Sequence, residues 1–588
     1  MSFPIGFSLF SGLSQEAMKA LHQAQERALA QFEHLEKHSL LIGQTQLNLW
    51  GHKGMTKRLH NMPDGSFLAQ IGSPHGGTTL DDVQDRLHSG NFELPWDGRV
   101  VLIHIDADGK NWTMWNDWLG SIPVFHAQLG QGRVASTLEP VVVAAAGYTP
   151  DDFFMPGLVA FLINGHFISD WTLYKGMKTL LPDARAEWDE NGFRSHRLWS
   201  VIPSQSRWEA GWDELVDEMY DLSHKVIADV LKAHSTWILP LSSGMDSRLI
   251  AGVAADVGAN VHTYAWGAPD TIDVVYSREI AKTLGFPWKR IDLQNDYLVE
   301  YTRRWADWYG SGLHFHGMYL MNFLDRLKDE PPGPVLSGLI GDTLVGDVVS
   351  ELSELHRSRQ MVDQVGSDWY VFWKSDELRS LMKIAVDEAV EANAAEIQKI
   401  MDSVPGVHYQ KLQFLELWGR QHLFTSYQAT LLDYWRGAAT PFLNRAYARF
   451  CLSLPRVILD DRHLQGEVFR RYYGRLAVIP GTYAKDPFIL TGKYLVKKRV
   501  VDLLPSSLHI GMLKGFANKP LRMDIESIQT CGRKALWPLF DRMDQLSKWL
   551  DVNQLERDFQ TLMRNKEDVL PLRRLQSMQT LAYRLSSN

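Results

Sequence analysis

A chain of 588 residues is too long for one hydrophobic core, because single cores stop growing at roughly 250–300 residues, so two or three domains are expected. Its 45% hydrophobic and 22% charged residues are those of an ordinary globular protein. A net charge of −8 without a sustained basic block argues against nucleic acid as the main partner, since phosphate binding shows as a basic patch or stripe. The two cysteines, Cys451 and Cys531, form no CxxC pair, which excludes a disulfide framework and a thiolate zinc site.

The opening "MSFPIGFSLFSGLSQEAMKALHQ" lacks the charged and long apolar regions of a signal peptide. No apolar run reaches the roughly 18 residues needed to cross a bilayer. A cytoplasmic protein without membrane contact is expected. Residues 1 to about 205 read as short strands: "FLAQIGSP", "RVVLIHIDADGKNWTMWND" and "RVASTLEPVVVAAAG" are β-branched or aromatic runs broken by turn signals. The "DGKN" segment predicts a hairpin. Past the Pro/Ser-rich stretch near 200–207, "WDELVDEMYDLSHKVIADVLKAH" places Leu215, Met219, Leu222, Val226 and Val230 at helical spacing.

Beyond that boundary, "WILPL", "VHTYAWG", "WKRIDL" and "GPVLSGL" alternate with helical patterns. Such alternation predicts βαβ units and a parallel sheet. From about 350 onward the pattern is mostly helical, as in "DELRSLMKIAVDEAVEANAAEIQKIM". The expected division is 1–205 and 206–588.

Within "WILPLSSGMDSRLIAG" a strand enters a Ser/Gly/Asp turn and a helix leaves it. First-turn amides and the positive dipole end favour an anion there. Gly244 lets backbone approach a ligand, and Ser242, Ser243 and Ser247 offer hydroxyls. Asp246 beside phosphate is natural when it is a Mg²⁺ ligand. No lysine follows the glycine, so this is not a Walker A loop. Taken alone, the hexapeptide reads equally well as an N-capping turn of a buried helix.

Context adds more. "LSSGMDS" resembles the S-G-G-x-D-S pyrophosphate loop of the asparagine synthetase-like ATP pyrophosphatases. "VLSGLIGDTLVGD" (335–347), "ATPFLNRAYARFCLSLP" (439–455), "LTGKYLVKKRVVDLLPSSLHIGMLKGFANKP" (490–520) and "WNDWLGSIPVFHAQLGQGRVASTLEPVV" (115–142) are similar to further segments of that family, in the family's order.

The resemblance implies an α/β fold. Its N-terminal domain would be a degenerate Ntn-hydrolase-like αββα layer, glutamine amidotransferase-like. Its C-terminal domain would be a parallel-sheet ATP pyrophosphatase with helical additions. It implies that Ser242, Ser243, Gly244, Asp246 and Ser247 bind the pyrophosphate of ATP and that Asp246 and Asp342 hold Mg²⁺. Gly338 would lie against the nucleotide, Trp266 in the adenine region, and Lys514 would steady developing charge. Lys493 and Lys498 read as a solvated helix face.

Three departures stand out. Glutamine-using members begin Met-Cys, whereas Ser2 and Phe3 stand here; a serine is a far poorer nucleophile than a low-pKa thiolate, so no glutaminase activity is expected. Leu339 occupies the position of a family Glu or Tyr that serves the attacking amine, and leucine cannot move a proton. Ile340 replaces a glycine. Glu416, His422 and Tyr427 are the replacement bases weighed. His314 and His316, two residues apart without a nearby thiolate or carboxylate, make a poor metal site and a better substrate contact.

The reading is a carbon–nitrogen ligase using ATP and Mg²⁺, forming an acyl adenylate and then an amide. Its substrate would be a small molecule or peptide carrying both carboxylate and amine. Macrocyclisation of a lasso peptide or a related natural-product step is favoured, with a precursor peptide or a protease as partner. A β-lactam synthetase, an ammonia-dependent asparagine synthetase and a non-catalytic nucleotide-binding scaffold are the alternatives.

Overall fold

The computed structural model describes residues 3–84, 86–87, 92–310, 312, 314–346, 372–459, 462–481, 488–489, 523–565 and 569–585. The N-terminal half holds β1 (Pro4–Ser11), β2 (Glu36–Ile42), β3 (Thr45–Gly51), β4 (Leu59–Asn61), β5 (Phe67–Ile71), β6 (Pro74–His75) and β7 (Asp97–Gly98). It continues with β8 (Val101–Ile105), β9 (Trp112–Asn116), β10 (Phe125–Leu129), β11 (Gly132–Ser136), β12 (Met177–Thr179), β13 (Ala184–Asp189) and β14 (Gly192–Arg197). Two six-stranded antiparallel sheets result, ordered β12-β10-β11-β1-β3-β2 and β14-β13-β9-β8-β5-β4.

Strand alternation decides which side chains fill the space between the sheets. Phe7 and Leu9 of β1 join Ile103, Trp112 and Met114 there. Phe10 points to the opposite face, 5.8 Å from the His22 ring of helix α1 (Gln15–Leu29). The predicted hairpin joins β8 to β9, with Gly109 at φ +73° in the turn. Short helix α2 (Leu80–Gln84) packs outside the second sheet with Leu68 and Leu102, while α3 (Glu139–Ala146) packs with α1 outside the first. Helix α4 (Met155–Asn164) follows. The layering is the expected αββα.

In the C-terminal half α5 (Trp212–Leu231) buries Leu215, Met219, Val226 and Val230 of the predicted stripe, with Leu222 half-buried. A parallel sheet follows, built from β15 (Trp237–Pro240), β16 (Val261–Trp266), β17 (Trp288–Ile291), β18 (Val335–Leu336) and β19 (Ala438–Ala439), ordered β17-β16-β15-β18-β19. Its connections are α6 (Met245–Asp256), α7 (Ile272–Leu284), α8 (Tyr297–Tyr309), α9 (Met318–Asp325) and α10 (Gly341–Val345).

The long helical pattern after 374 is two helices, Ser375–Leu381 and Asp387–Ser403. Met382 between them leaves the helix to bridge Leu550. The stretch 415–435, which holds Glu416, His422 and Tyr427, is also broken: Leu417–Thr425 is wound as a π-helix between two α-helical stretches. Such windings cluster at functional sites.

The halves meet through buried polar contacts. Arg99 Nε donates to Asp433 Oδ2 at 2.9 Å, its Nη2 to Thr430 Oγ1 at 2.6 Å, and Trp50 Nε1 to Tyr434 Oη at 2.7 Å. Arg584, on the last described helix (Leu570–Leu585), pairs with Glu139 of α3 in a buried ion pair.

Candidate active site

Strand order in the parallel sheet reverses between β15 and β18: the chain first builds outward through β16 and β17, then returns to the other side of β15. In open α/β sheets, ligands bind at the carboxyl ends of strands where the order switches. Asp246 follows β15 and Asp342 follows β18, so the two carboxylates stand at that switch point.

The loop after β15 folds on itself. Ser242 Oγ lies 3.0 Å from Ser247 Oγ and accepts from Gly244 N–H at 3.1 Å; Ser242 N–H donates to Ser247 Oγ at 3.2 Å. Ser243 keeps a negative φ, so its side chain is tolerated where the family has glycine. Its N–H and hydroxyl both donate to Asp273 Oδ1, at 3.0 and 2.8 Å. The cap residue of α6 is Gly244, at φ −67°, without a side-chain cap. The hexapeptide therefore does not act as a Ser/Asp N-cap, and the first-turn amides keep their pull on an anion.

Behind the loop lies Arg248, fully buried. Its Nη2 donates to the Ser243 and Pro480 carbonyls at 2.8 Å each, and its Nη1 to Ile479 O at 2.8 Å. Burial lowers this guanidinium to about 10. A cation held by carbonyls beneath the turn fixes the turn's shape and adds positive potential under it.

Asp246 is crowded by the loop after β18. A Cβ on Gly341 would come within 2.7 Å of Asp246 Cγ, and one on Gly338 within 3.2 Å of Asp246 Cβ. Both positions need the missing side chain for this approach. Between them Ile340 sits at φ +61° and is buried. A β-branched residue there is strained, at a cost of roughly 1–2 kcal/mol. The loop thus keeps a left-handed turn at the position where the family has glycine. Asp342 Oδ1 accepts from Thr343 N–H at 2.8 Å.

Burial raises the Asp246 carboxyl, the Arg462 guanidinium lowers it, and the charge of Asp342 raises it again; the net shift is upward. Two carboxylates that feel each other call for a cation between them. Arg462 Nη2 and Gln465 Nε2 donate to Asp246 Oδ1, the latter at 3.2 Å. Arg462 itself holds φ +55° at the start of the helix His463–Tyr472. Two carboxylate oxygen donors suit Mg²⁺, which takes one or two from protein and the rest from water and phosphate. Among the described residues no group of three or more His, Cys, Asp or Glu is placed to hold a metal. The donor set therefore fits a Mg²⁺ shared with a nucleotide and does not fit a metal caged by protein alone.

Trp266 ends β16, 4.5 Å from the Phe323 ring, and lines a cavity of 540 Å³. Tyr319, Arg420, Phe424, Asp524 and Arg573 share its wall, with His314 and His316. Of the replacement bases weighed, Glu416 is fully buried and accepts from Arg420 and Gln421 at 2.9 Å each. His422 is buried against the Gly120 carbonyl, and burial lowers it to about 4. Tyr427 is buried, which drives its phenol well above its ordinary value. None of the three lines this cavity. Ser2, Lys493, Lys498 and Lys514 lie outside the described residues.

Sequence reasoning missed Arg462, Gln465, Asp273 and Arg248 as partners of the loop. Of these, Arg248 and Asp273 carried a visible signal, a charge within an apolar helical stretch and one at a helix start.

Residues 227–435 match the asparagine synthase family model. Solved structures similar to the chain include a glutamine phosphoribosylpyrophosphate amidotransferase from B. subtilis complexed with ADP and GMP. It is 11% identical, with 49% of this chain and 91% of that one covered and a TM-score of 0.24. Another is described as the allosteric regulatory enzyme of purine biosynthesis, 11% identical over 48% of this chain and 80% of that one, with a TM-score of 0.23. No curated protein matches the chain in sequence. The segment that matches the asparagine synthase family model is the one that carries Asp246, Trp266, Gly338 and Asp342.

Proposed function

We propose that this protein adenylates a substrate carboxylate with ATP, releasing pyrophosphate, and joins the acyl group to an amine with release of AMP. The observation that carries the reading is the meeting of Asp246 and Asp342 at the switch point of the parallel sheet. Asp246 and Asp342 would hold Mg²⁺, which supplies charge neutralisation for the triphosphate and the departing pyrophosphate. The first-turn amides of α6 and the hydroxyls of Ser242 and Ser247 would bind the phosphates. Ser243, tied to Asp273, would shape the loop. Gly338 would lie against the nucleotide, Trp266 would bound its base, and Lys514 would steady the developing negative charge.

Residues 206–588 would form the catalytic domain and residues 1–205 a sandwich that has lost glutaminase chemistry. The 540 Å³ cavity is within the range of small-molecule sites. We read its occupant as one molecule with both carboxylate and amine, as in peptide macrocyclisation, with a precursor peptide or its protease as partner. Holding both ends together lowers the barrier by roughly 7–11 kcal/mol. No described helix is long and apolar enough to cross a membrane, in keeping with work in the cytoplasm.

The test is ATP–pyrophosphate exchange with a panel of amino acids, N-acyl amino acids and linear peptides. At least one acid should support exchange that needs Mg²⁺. Asp342→Asn should lower it at least 100-fold with an unchanged melting temperature. Full exchange by that variant would refute the metal assignment, and no exchange with any acid would refute the ligase reading.

A further inference from the structure

We propose that His316, oriented by Asp524, takes the proton from the amine as it attacks the activated acyl group. The inference rests on the ligase reading above. An amine that adds to an acyl carbon must shed a proton, and Leu339, a buried aliphatic side chain, cannot receive it. An acceptor belongs where the acyl group and the amine meet, in the cavity that Trp266 helps to line.

His316 lines that cavity with its side chain 35% exposed, and its Nδ1 lies 3.5 Å from Asp524 Oδ2. Asp524 is buried at the cavity wall. The Tyr297 hydroxyl donates to its Oδ1, and Gln576 Nε2 donates to its Oδ2 at 3.1 Å. Burial pushes this carboxyl up, but His316, Tyr297 and Gln576 outweigh it and hold it below the ordinary carboxylate range. It therefore stays ionised in mild acid and neutral solution. A carboxylate on Nδ1 fixes the tautomer that carries its hydrogen there, which leaves Nε2 as the acceptor.

The ring is also held by packing. It stacks on Phe424 at 5.8 Å and 6° between planes, with Tyr319 tilted against it at 5.7 Å. The backbone N–H of His316 donates to the His314 carbonyl at 2.9 Å, a tight turn that brings both imidazoles to the wall. His314 is buried, and burial drives it well below its ordinary value, so it is a poor acceptor.

The groups that face His316 are accounted for by element. His314 is on its own segment, Tyr319 on α9, Arg420 on the π-helix with Tyr427 just after it, Asp524 on the helix Met523–Cys531, and Arg573 on the last described helix. Tyr297 of α8 stands behind Asp524.

The step balances. The lone pair of the amine nitrogen forms the C–N bond, the acyl C–O bond to the phosphate breaks, and its electron pair leaves on AMP. The proton passes to His316 Nε2. His316 is the catalytic residue and Asp524 a positioning residue. Adenylation needs no such acceptor, because a carboxylate attacks phosphorus as an anion. The two half-reactions should therefore respond differently to the loss of the imidazole.

The experiment uses the full chain and the acid found by pyrophosphate exchange, with ammonium and hydroxylamine as amine probes. Ammonium is protonated at pH 7, whereas hydroxylamine is not. His316→Asn, with His316→Gln as a second variant, should lower exchange far less than amide formation, and an unchanged melting temperature reports the intact fold. Either should lose ammonium-dependent amide formation at pH 7 by about 100-fold or more, within the usual range for a general base. Hydroxamate formation should fall much less, and the rising limb that the imidazole adds to the pH–rate profile for ammonium, apart from the rise that free ammonia itself gives, should disappear. Asp524→Asn should shift that limb and lower kcat more than it raises KM. Unchanged amide formation, equal losses with both amines, or loss of exchange together with amide formation would each overturn the role of His316. An unmoved limb in Asp524→Asn would overturn the positioning role. Absence of exchange by the unaltered protein would instead remove the ligase reading itself.

Discussion

Asp117 in the N-terminal sandwich and Asp246 at the carboxyl end of the parallel sheet are both carboxylates held by other groups of the fold, but they are satisfied differently. Asp117 accepts from the N–H groups of Val100, Leu119 and Ser121 and from the Ser121 hydroxyl, all within 17 residues. Asp246 accepts from Arg462 and Gln465, 216 and 219 residues away, with its side chain 17% exposed. Local backbone donors lock a carboxylate into the structure, and exchanging them means unfolding the turn. A guanidinium arriving from a distant helix can be shared with a metal or a phosphate without disturbing the strand. The first arrangement serves stability and the second leaves room for chemistry.

Acid is the broadest way to break the comparison. His126 and His166 in one half are lowered by burial to about 3, and His422 in the other to about 4. Each stays neutral in the fold and charges in the unfolded chain near 6.5. Their contribution is complete above pH 6.5 and is lost as pH falls towards the folded values, at a cost of about 3–5 kcal/mol each. Denaturant titrations between pH 7 and 4 should show a steep loss of stability in both halves; a flat profile would mean that these rings are hydrated.

Asp117→Ala should come next. It strands several buried donors and should cost about 4 kcal/mol, read as a lower denaturant midpoint, with exchange per folded molecule unchanged. Gly341→Ala sharpens the other side: the added Cβ presses on Asp246. It should cut exchange about tenfold and raise the Mg²⁺ requirement while changing the melting temperature by only a few degrees. Ser243→Gly should have the smallest effect, about 1 kcal/mol for the hydrogen bond lost to Asp273, with exchange retained.

Much of this was legible in the sequence because its signals are local. Gly109 marks the β8–β9 turn, the α5 stripe follows its helical period, and the run 237–247 announces strand, turn and helix within eleven residues. What stayed hidden depends on distant encounters. Nothing near Arg462 indicates that it will reach Asp246, and β19, two residues long, is too short to leave a period, whereas β18 was marked by the apolar run in "GPVLSGL". The π-helix escaped because one extra residue per turn shifts the stripe by less than a sequence pattern resolves. The helical pattern at 376–401 concealed a break at Met382, where pairing with Leu550 overrides propensity. Asp524 and its place beside His316 were not foreseen, since 208 positions separate them.

The helix Leu570–Leu585 touches both worlds: Leu572, Arg573 and Gln576 form part of the cavity wall, while Arg584 is clasped by Glu139 beside the first sheet. The N-terminal sandwich thus anchors one wall of the cavity beside the parallel sheet. Loosening that clasp with Glu139→Gln would be felt at a distance, as a looser fit for the acid and not as a fault in nucleotide handling.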